Sequence, residues 1–84
     1  MTVIDASFAK KLKSNPQARQ RAIVRTASPA ADHTADCERL GLRVVRVSML
    51  INAVTVEGSG HVLLALERET WVVRVEEDKV VHIM

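Results

Sequence analysis

The sequence predicts an α+β domain in which a four-stranded antiparallel sheet carries two helices on one face. Four β-rich runs and two helical patterns alternate in the order β-α-β-β-α-β over residues 21–78. Each strand–helix–strand unit is expected to cross over in the right-handed sense, which brings all four strands into one sheet. The 84 residues of the chain suffice for one small domain.

The first half of the pattern contains one strand and one helix. Residues 21–26 are apolar in the middle with charged shoulders, which is typical of a strand. Ser28 precedes Pro29, so the serine is predicted to cap a helix that has proline in its first turn. Gly41 is expected to end this helix. Its inward stripe has helical spacing and consists of Ala30, His33, Cys37 and Leu40.

Two more strands are predicted over residues 43–47 and 52–57, because both runs are rich in β-branched residues. Residues 58–60, Gly-Ser-Gly, are expected to break the second of these strands. Ser59 is then predicted to cap the second helix.

The second half of the pattern repeats the helix and the strand. The second helix is predicted to end near residues 69–70, and the last strand to span residues 72–76 with Val73 and Val75 on one face. The buried stripe of the helix consists of Val62, Leu63 and Leu66.

These elements together predict the ferredoxin-like arrangement, in which the second face of the sheet carries no helix. We expect small or charged side chains on that bare face, which would make it flat and suited to docking. The residues predicted there are Ala53, Thr55, Arg74 and Glu76. Fold alone does not determine function, because this arrangement serves many functions.

Residues 1–20 are predicted to be a basic N-terminal arm outside the domain of residues 21–78. The spacing of Ile4, Phe8 and Leu12 is compatible with a short helix from Ser7 to Leu12, and equally with a disordered tail. Residues 1–25 contain six basic residues and one acidic residue, whereas the rest contains six basic and nine acidic residues. The body of the domain is therefore expected to be mildly acidic, which disfavours a nucleic-acid surface on it.

The composition also argues against several other classes of function. The aromatic content is 2%, and the predicted strands lack the aromatic residues on which RNA bases stack. Ser59 lies in a Gly-Ser-Gly-His segment, which differs from the nucleophile elbow of hydrolases and favours a helix cap, so we expect no enzyme. No apolar run is long enough to span a membrane.

His33 and Cys37 are four residues apart on one predicted helix and are the candidates for a shared metal ion. No second pair of ligands accompanies them, so we expect neither a metal nor another cofactor and predict a core position for Cys37. A small metal or ligand carrier remains as an alternative function.

Residues 79–84 are predicted to be an extended tail. The segment Val80–Met84 is mostly apolar and β-branched, and it follows the acidic run Glu76–Asp78. An extended apolar peptide that ends in a carboxylate has the form of a cleavage product that remains in the cleft of the enzyme that cut it. The acidic run is either a solvated turn or a set of carboxylates that cap helices of another protein.

Several of these segments together resemble one family. They are Asn52-Ala53 after an apolar tripeptide, the spacing of Val62 and Leu66, the run Val72–Asp78, and the terminal Val80–Met84. Over residues 21–84 the chain resembles the propeptides of subtilisin-like serine proteases, the proteinase inhibitor I9 family.

The resemblance implies a monomeric, non-enzymatic domain that acts as an intramolecular chaperone and then as a temporary inhibitor of its protease. In that family the open sheet face packs on two helices of the protease, which here implicates Asn52, Ala53, Thr55 and Arg74. Acidic residues cap those helices, which implicates Glu76 and Asp78. A secreted or periplasmic precursor is implied, and the alternative within the family is a free-standing inhibitor.

The resemblance also assigns the tail to the substrate cleft of the protease. Met84 would fill the first specificity pocket, where many members have Tyr, Leu or Asn, and Val81 would fill the fourth pocket. His82 and Ile83 would lie between them.

Overall fold

The computed structural model describes residues 2–48 and 50–78. Within these residues the protein has an α+β fold with three α-helices and one mixed sheet of five strands. The strands are β1 (Val3–Ile4), β2 (Arg19–Thr26), β3 (Arg43–Ser48), β4 (Ala53–Ser59) and β5 (Val72–Glu77). The helices are α1 (Ala6–Ser14), α2 (Thr34–Arg39) and α3 (Gly60–Ala65), with 3₁₀ turns at Ala30–His33 and Leu66–Arg68.

The strands lie in the order β1-β5-β2-β4-β3. Neighbours from β5 to β3 are antiparallel, as predicted for the four strands, but β1 runs parallel to β5, so the sheet has five strands and is mixed rather than purely antiparallel. The reason is that the edge of β5 accepts a further strand. The Thr2 hydroxyl donates to the carbonyls of Glu69 and Val72, and the Asp5 N–H donates to that of Val75 at 3.1 Å.

Helix α1 contains the short helix that the spacing of Ile4, Phe8 and Leu12 allowed. It begins after Asp5, whose carboxylate accepts a hydrogen bond from the Phe8 N–H at 3.3 Å. Phe8 and Leu12 are fully buried in the core, and α1 packs against α3. These residues of the segment 1–20 thus belong to the same hydrophobic core as the strands.

Helix α2 ends at Arg39, and Gly41, which has a φ of 95°, terminates it as predicted. The Leu42 N–H donates to the carbonyl of Cys37 and the Gly41 N–H to that of Glu38, the two bonds of a Schellman cap. The start of this segment differs from the prediction. Ser28 makes no cap bond, because its hydroxyl lies 2.6 Å from Nε2 of His33.

Strand β4 continues through Gly58 and ends at Ser59, within the segment 58–60 where the break was predicted. A Cβ at Gly58 would lie 2.5 Å from Cδ2 of the buried Leu42, so glycine leaves room for this core side chain against the strand. Ser59 takes the N-cap position of α3 as predicted, but its hydroxyl contacts His61 rather than a backbone N–H.

Strand β5 contains an irregularity that the alternation of its side chains does not reveal. Thr26 pairs with Val72 and Arg25 pairs with Arg74, which leaves Val73 as an extra residue. Val72 and Val75 are therefore buried, while Val73 is 46% exposed. The predicted common face of Val73 and Val75 is wrong for this reason.

The core lies between one face of the sheet and all three helices. Six of the seven residues of the predicted helical stripes belong to it, with Ala30, Cys37, Leu63 and Leu66 buried and Leu40 and Val62 packed against the cluster. The seventh, His33, stacks on Trp71 instead. The strands contribute Ala22, Val24, Val54, Val56, Val72 and Val75. The helical part of the core therefore covers this face of the sheet, and the opposite face, called the open face below, is the candidate docking surface.

Candidate functional site

Three cross-strand rows of side chains form the open face. Residues that stand directly opposite each other in antiparallel strands point to the same side of the sheet. The first row is Arg46, Thr55, Ile23 and Glu76; the second is Ser48, Ala53, Arg25 and Arg74; the third begins with Arg43, Glu57 and Arg21. Arg19, opposite Ser59, continues this face beyond the third row.

The structure brings most of the predicted docking residues together. Ala53, Thr55 and Arg74 share the open face with Glu76, as the alternation of β4 and β5 predicted. Ala53 and Thr55 are only 3% and 7% exposed, because they are small and stand between longer neighbours. The centre of the open face is therefore low, smooth and uncharged.

Asn52 lies apart from this centre. It ends the turn between β3 and β4, and its carbonyl accepts a hydrogen bond from the Thr26 N–H at 2.8 Å. Since β4 and β5 both run away from this end, Asn52 and Asp78 lie at opposite ends of the sheet. A partner that contacts both residues must span the length of the strands.

The basic residues of the chain are not distributed as the sequence suggested. Arg19, Arg21 and Arg25 were assigned to a basic region near the N-terminus, but they lie on β2 between β5 and β4. Their side chains join those of Arg43, Arg46 and Arg74 on the open face. The chain after residue 25 contains more acidic than basic residues, but the open face of the sheet is strongly basic.

Glu57 organises one end of the open face. Its carboxylate lies 3.3 Å from Arg19, 3.6 Å from Arg21 and 3.9 Å from Arg43. The hydrogen bond from Arg19, together with the positive charges of Arg19, Arg43 and Arg21, lowers the pKa of Glu57 below its ordinary value of 4.5. The carboxylate therefore stays ionised and holds three guanidinium groups at this end.

Glu76 has the same role near the other end of the open face. Its Oε1 lies 3.0 Å from Nε of Arg25 and 3.2 Å from Nε of Arg74. The predicted role of Glu76 as a cap for helices of another protein stays a prediction. To act as a cap, this carboxylate must share or leave its two arginine partners.

Asp78 is the last described residue, and its N–H donates to the carbonyl of Arg21 at 3.1 Å. This bond extends the pairing of β5 with β2 by one residue and sets the point where the chain leaves the sheet. The predicted capping role of Asp78 also stays a prediction. The tail residues predicted to enter the protease cleft, Val81, His82, Ile83 and Met84, lie outside the described residues.

A chain of hydrogen bonds that the sequence did not reveal lies between α2 and the start of β5. Oγ of Ser28 is 2.6 Å from Nε2 of His33, and Nδ1 of His33 is 3.1 Å from Oδ2 of Asp36. The imidazole of His33 also stacks on the indole of Trp71, with ring centroids 4.6 Å apart and an interplanar angle of 7°.

These three groups have the connectivity of a serine–histidine–aspartate triad. A working triad also needs donors that stabilise an oxyanion and a cleft that holds the substrate. Three surface concavities of the described residues are lined by other side chains, and Asp36 also pairs with Arg39 at 3.4 Å. The chain of bonds and the stacking contact together hold the His33 ring against Trp71.

Cys37 occupies the predicted core position. Burial, reinforced by the negative charges of Asp36 and Glu38, raises the pKa of its thiol from 9.0 to about 11. Both ring nitrogens of His33 are engaged by Ser28 and Asp36, so they do not present a free lone pair beside the thiol. Within residues 2–48 and 50–78, no group of three His, Cys, Asp or Glu side chains is placed to hold a metal ion.

No protein-family model matches the chain, and no curated protein matches it significantly. Among the described residues, no helix combines the length and apolar character needed to cross a membrane.

Proposed function

We propose that the protein is a non-enzymatic propeptide-type inhibitor of a subtilisin-like serine protease. In this proposal the open face docks on the surface of the protease while the tail, residues 79–84, lies in its substrate cleft. The domain first assists folding of the protease and then inhibits it until the domain is digested. A secreted or periplasmic precursor is the setting in which such a domain would act.

The strand order supports this proposal at the level of the fold. The consecutive neighbours β5, β2, β4 and β3 are all antiparallel, and α2 and α3 each follow one strand of the sheet and pack on its core side. This is the order expected of a ferredoxin-like sheet, to which β1 and α1 would be an addition. We therefore propose a ferredoxin-like core extended by one parallel strand and one helix.

The observation that carries the proposal is the position of β5. This strand contributes Arg74 and Glu76 to the open face and is followed directly by Asp78. The docking surface and the tail are thus consecutive in the chain. A partner seated on the open face would lie beside the point where the sequence Lys79–Met84 begins.

The chemistry of the tail suits a protease cleft. An extended peptide can pair as a strand with the edge strands of the cleft, gaining main-chain hydrogen bonds while alternate side chains fill pockets. In this proposal Met84 fills the first specificity pocket and Val81 the fourth, with Ile83 and His82 between them.

The composition of the core agrees with a transient inhibitor. Phe8 is the only aromatic residue among the fully buried side chains of the described residues, and aliphatic side chains supply most of the rest. Small domains with such cores retain only a few kcal/mol of net stability. A domain of low stability can be digested after release, which would free the protease.

Inhibition assays on a panel of subtilisin-like proteases test the proposal. The full chain is expected to inhibit at least one member tightly and to be digested slowly. Deletion of Val81–Met84 should raise the inhibition constant by at least about a hundredfold, since loss of several pocket contacts removes a few kcal/mol of binding. The circular dichroism spectrum should be unchanged.

Asp78→Asn provides a second test that leaves the tail intact. If Asp78 caps a helix of the protease, the substitution should weaken binding by roughly 0.3–2 kcal/mol. A full chain that inhibits no subtilisin-like protease would refute the proposed function. Equal inhibition by the full and the shortened chain would refute the placement of the tail in the cleft.

A further inference from the structure

The open face carries an unusual excess of arginine. Among the described residues, its cross-strand rows contain two carboxylates, Glu57 and Glu76. The arginines of the same face are Arg19, Arg21, Arg25, Arg43, Arg46 and Arg74. Four positive charges therefore remain after every carboxylate is matched with one guanidinium.

The arginines are held in place but their hydrogen-bonding capacity is not exhausted. Glu57 is shared by three guanidinium groups and Glu76 by two, so each arginine keeps free N–H donors. Arg46 makes no ion pair with any described residue. Side chains that are already oriented lose less conformational entropy when they bind a planar carboxylate in bidentate fashion.

The arrangement resembles the anatomy of a protein interface. Ala53, Thr55 and Ile23 form a small, uncharged centre, and the arginines surround it. Protein interfaces have cores depleted of charge and are enriched in arginine. The partner that fits this surface is a flat protein surface with carboxylates placed around a small apolar area.

A nucleic acid fits the same surface less well. Strands β2 to β5, as described, contain no aromatic side chain on which a base could stack. The carboxylates of Glu57 and Glu76 stand between the guanidinium groups, where the phosphates of a bound strand would run. The observations therefore favour acidic protein over nucleic acid.

We propose that the open face is an arginine surface that recognises a clustered set of Asp and Glu carboxylates on a partner protein. The inference rests on the proposed function in identifying that partner as the protease. It then adds that the docking surface of the protease is acidic. The excess of arginine on the open face is a property of strands β2 to β5 and does not depend on which protein is the partner.

The first arm of the test uses poly-L-glutamate as the probe and the full chain as the protein. Variant one combines Arg25→Ser, Arg46→Ser and Arg74→Ser on the open face. Variant two removes the same charge elsewhere, through Lys10→Ser, Lys13→Ser and Arg68→Ser, all exposed residues of the helical side. Binding is measured by fluorescence anisotropy, and thermal unfolding verifies that both variants are folded.

Variant one should bind poly-L-glutamate at least about tenfold more weakly than the wild type, whereas variant two should stay within about twofold. Equal losses in both variants would refute a specific open-face site. Tighter binding of a twenty-nucleotide oligo(dT) than of poly-L-glutamate at about 0.15 M salt would also overturn the inference in favour of nucleic acid.

The second arm uses a subtilisin-like protease that the wild-type chain inhibits. Variant one should raise the inhibition constant at least about tenfold, and added salt should reduce the difference between variant one and wild type. Inhibition by variant one equal to that by variant two would refute the acidic docking surface while the proposed function stands. If no protease is inhibited, the proposed function fails, and the first arm still decides the chemistry of the open face.

Discussion

Glu76 lies diagonally across β5 and β2 from Arg25, with Oε1 3.0 Å from Nε. Its importance follows from the register, since Arg25 stands directly opposite Arg74 and two like charges face each other. Glu76 also reaches Arg74 at 3.2 Å, so one carboxylate relieves the repulsion between two guanidinium groups. The residue thus stabilises the sheet and lowers the charge of its open face.

Replacement Glu76→Gln should separate these two effects. We expect the free energy of unfolding to fall by about 0.5–1 kcal/mol at low ionic strength, because the opposed arginines lose their shared carboxylate. The same substitution should tighten binding of poly-L-glutamate, since the open face gains one net positive charge. Urea unfolding and fluorescence anisotropy measure the two quantities.

Glu67→Gln is the matched control, because Glu67 is an exposed acidic residue in the 3₁₀ turn after α3. It should change stability and poly-L-glutamate binding little. Weaker binding of the probe by Glu76→Gln would contradict the role of Glu76 as a neutralising residue.

The Glu57 carboxylate should stabilise the fold at pH values above its ordinary pKa and lose this contribution in acid. Its folded-state pKa lies below the ordinary value of 4.5, because Arg19 donates to it and three arginines surround it. The stabilisation is therefore fully present above pH 4.5 and is lost as the pH falls through the lower folded-state value. We expect Glu57→Gln to flatten this acid dependence in urea unfolding curves. An identical acid dependence in wild type and Glu57→Gln would contradict the linkage.

Phe8 should be a stabilising core residue even though it lies among the first twenty residues. It is 1% exposed and belongs to the same core cluster as the strands. Phe8→Ala is expected to reduce the free energy of unfolding by about 3–5 kcal/mol, a loss that a domain this small scarcely survives. Lys10→Ala, on the exposed side of α1, should change it by less than about 0.5 kcal/mol. A Phe8→Ala variant as stable as the wild type would show that α1 is not part of the core in solution.

The thiol of Cys37 should resist modification until the protein unfolds. Its pKa of about 11, against an ordinary 9.0, lowers the thiolate fraction at neutral pH. The difference corresponds to roughly a hundredfold, and complete burial slows the reaction further. Ellman's reagent should therefore react slowly with the native protein and rapidly in denaturant. Rapid reaction in native buffer would contradict the buried position.

The hydroxyl of Ser28 should act as a structural donor and not as a nucleophile. Ser28→Ala is expected to lower the free energy of unfolding by about 1 kcal/mol, which is the usual net contribution of one hydrogen bond to stability. The rate of 4-nitrophenyl acetate hydrolysis should be the same in both proteins, and mass spectrometry should find no acyl group on Ser28. A stable acyl-enzyme that forms only with the serine present would overturn this interpretation.

Much of the fold could be predicted because its signals are local. The β-branched runs mark the strands, the stripes around Cys37 and Leu63 mark the helices, and Gly41 marks a helix end. The extra strand β1 could not be predicted in this way. It has two residues and depends on the free edge of β5, about seventy residues away in sequence.

The open face was predicted in part for the same reason. Alternation along β4 and β5 sufficed to place Ala53, Thr55 and Arg74 on one side of the sheet. It could not show that Arg21 and Arg25 of β2 add their charges to the same face. The bulge at Val73 and the contacts of His33 likewise depend on pairings between distant segments.

The position of β1 has a consequence for the order in which the chain can fold during synthesis. Thr2 donates to the carbonyl of Val72 across 70 positions of sequence, and the partners of β2 on both sides are translated after it. Neither β1 nor the central strand can pair until the ribosome has delivered most of the domain. Contacts of such long range form slowly, and a pause in translation before residue 72 would leave β1 and one edge of β2 without their partner β5 and exposed to chaperones and proteases.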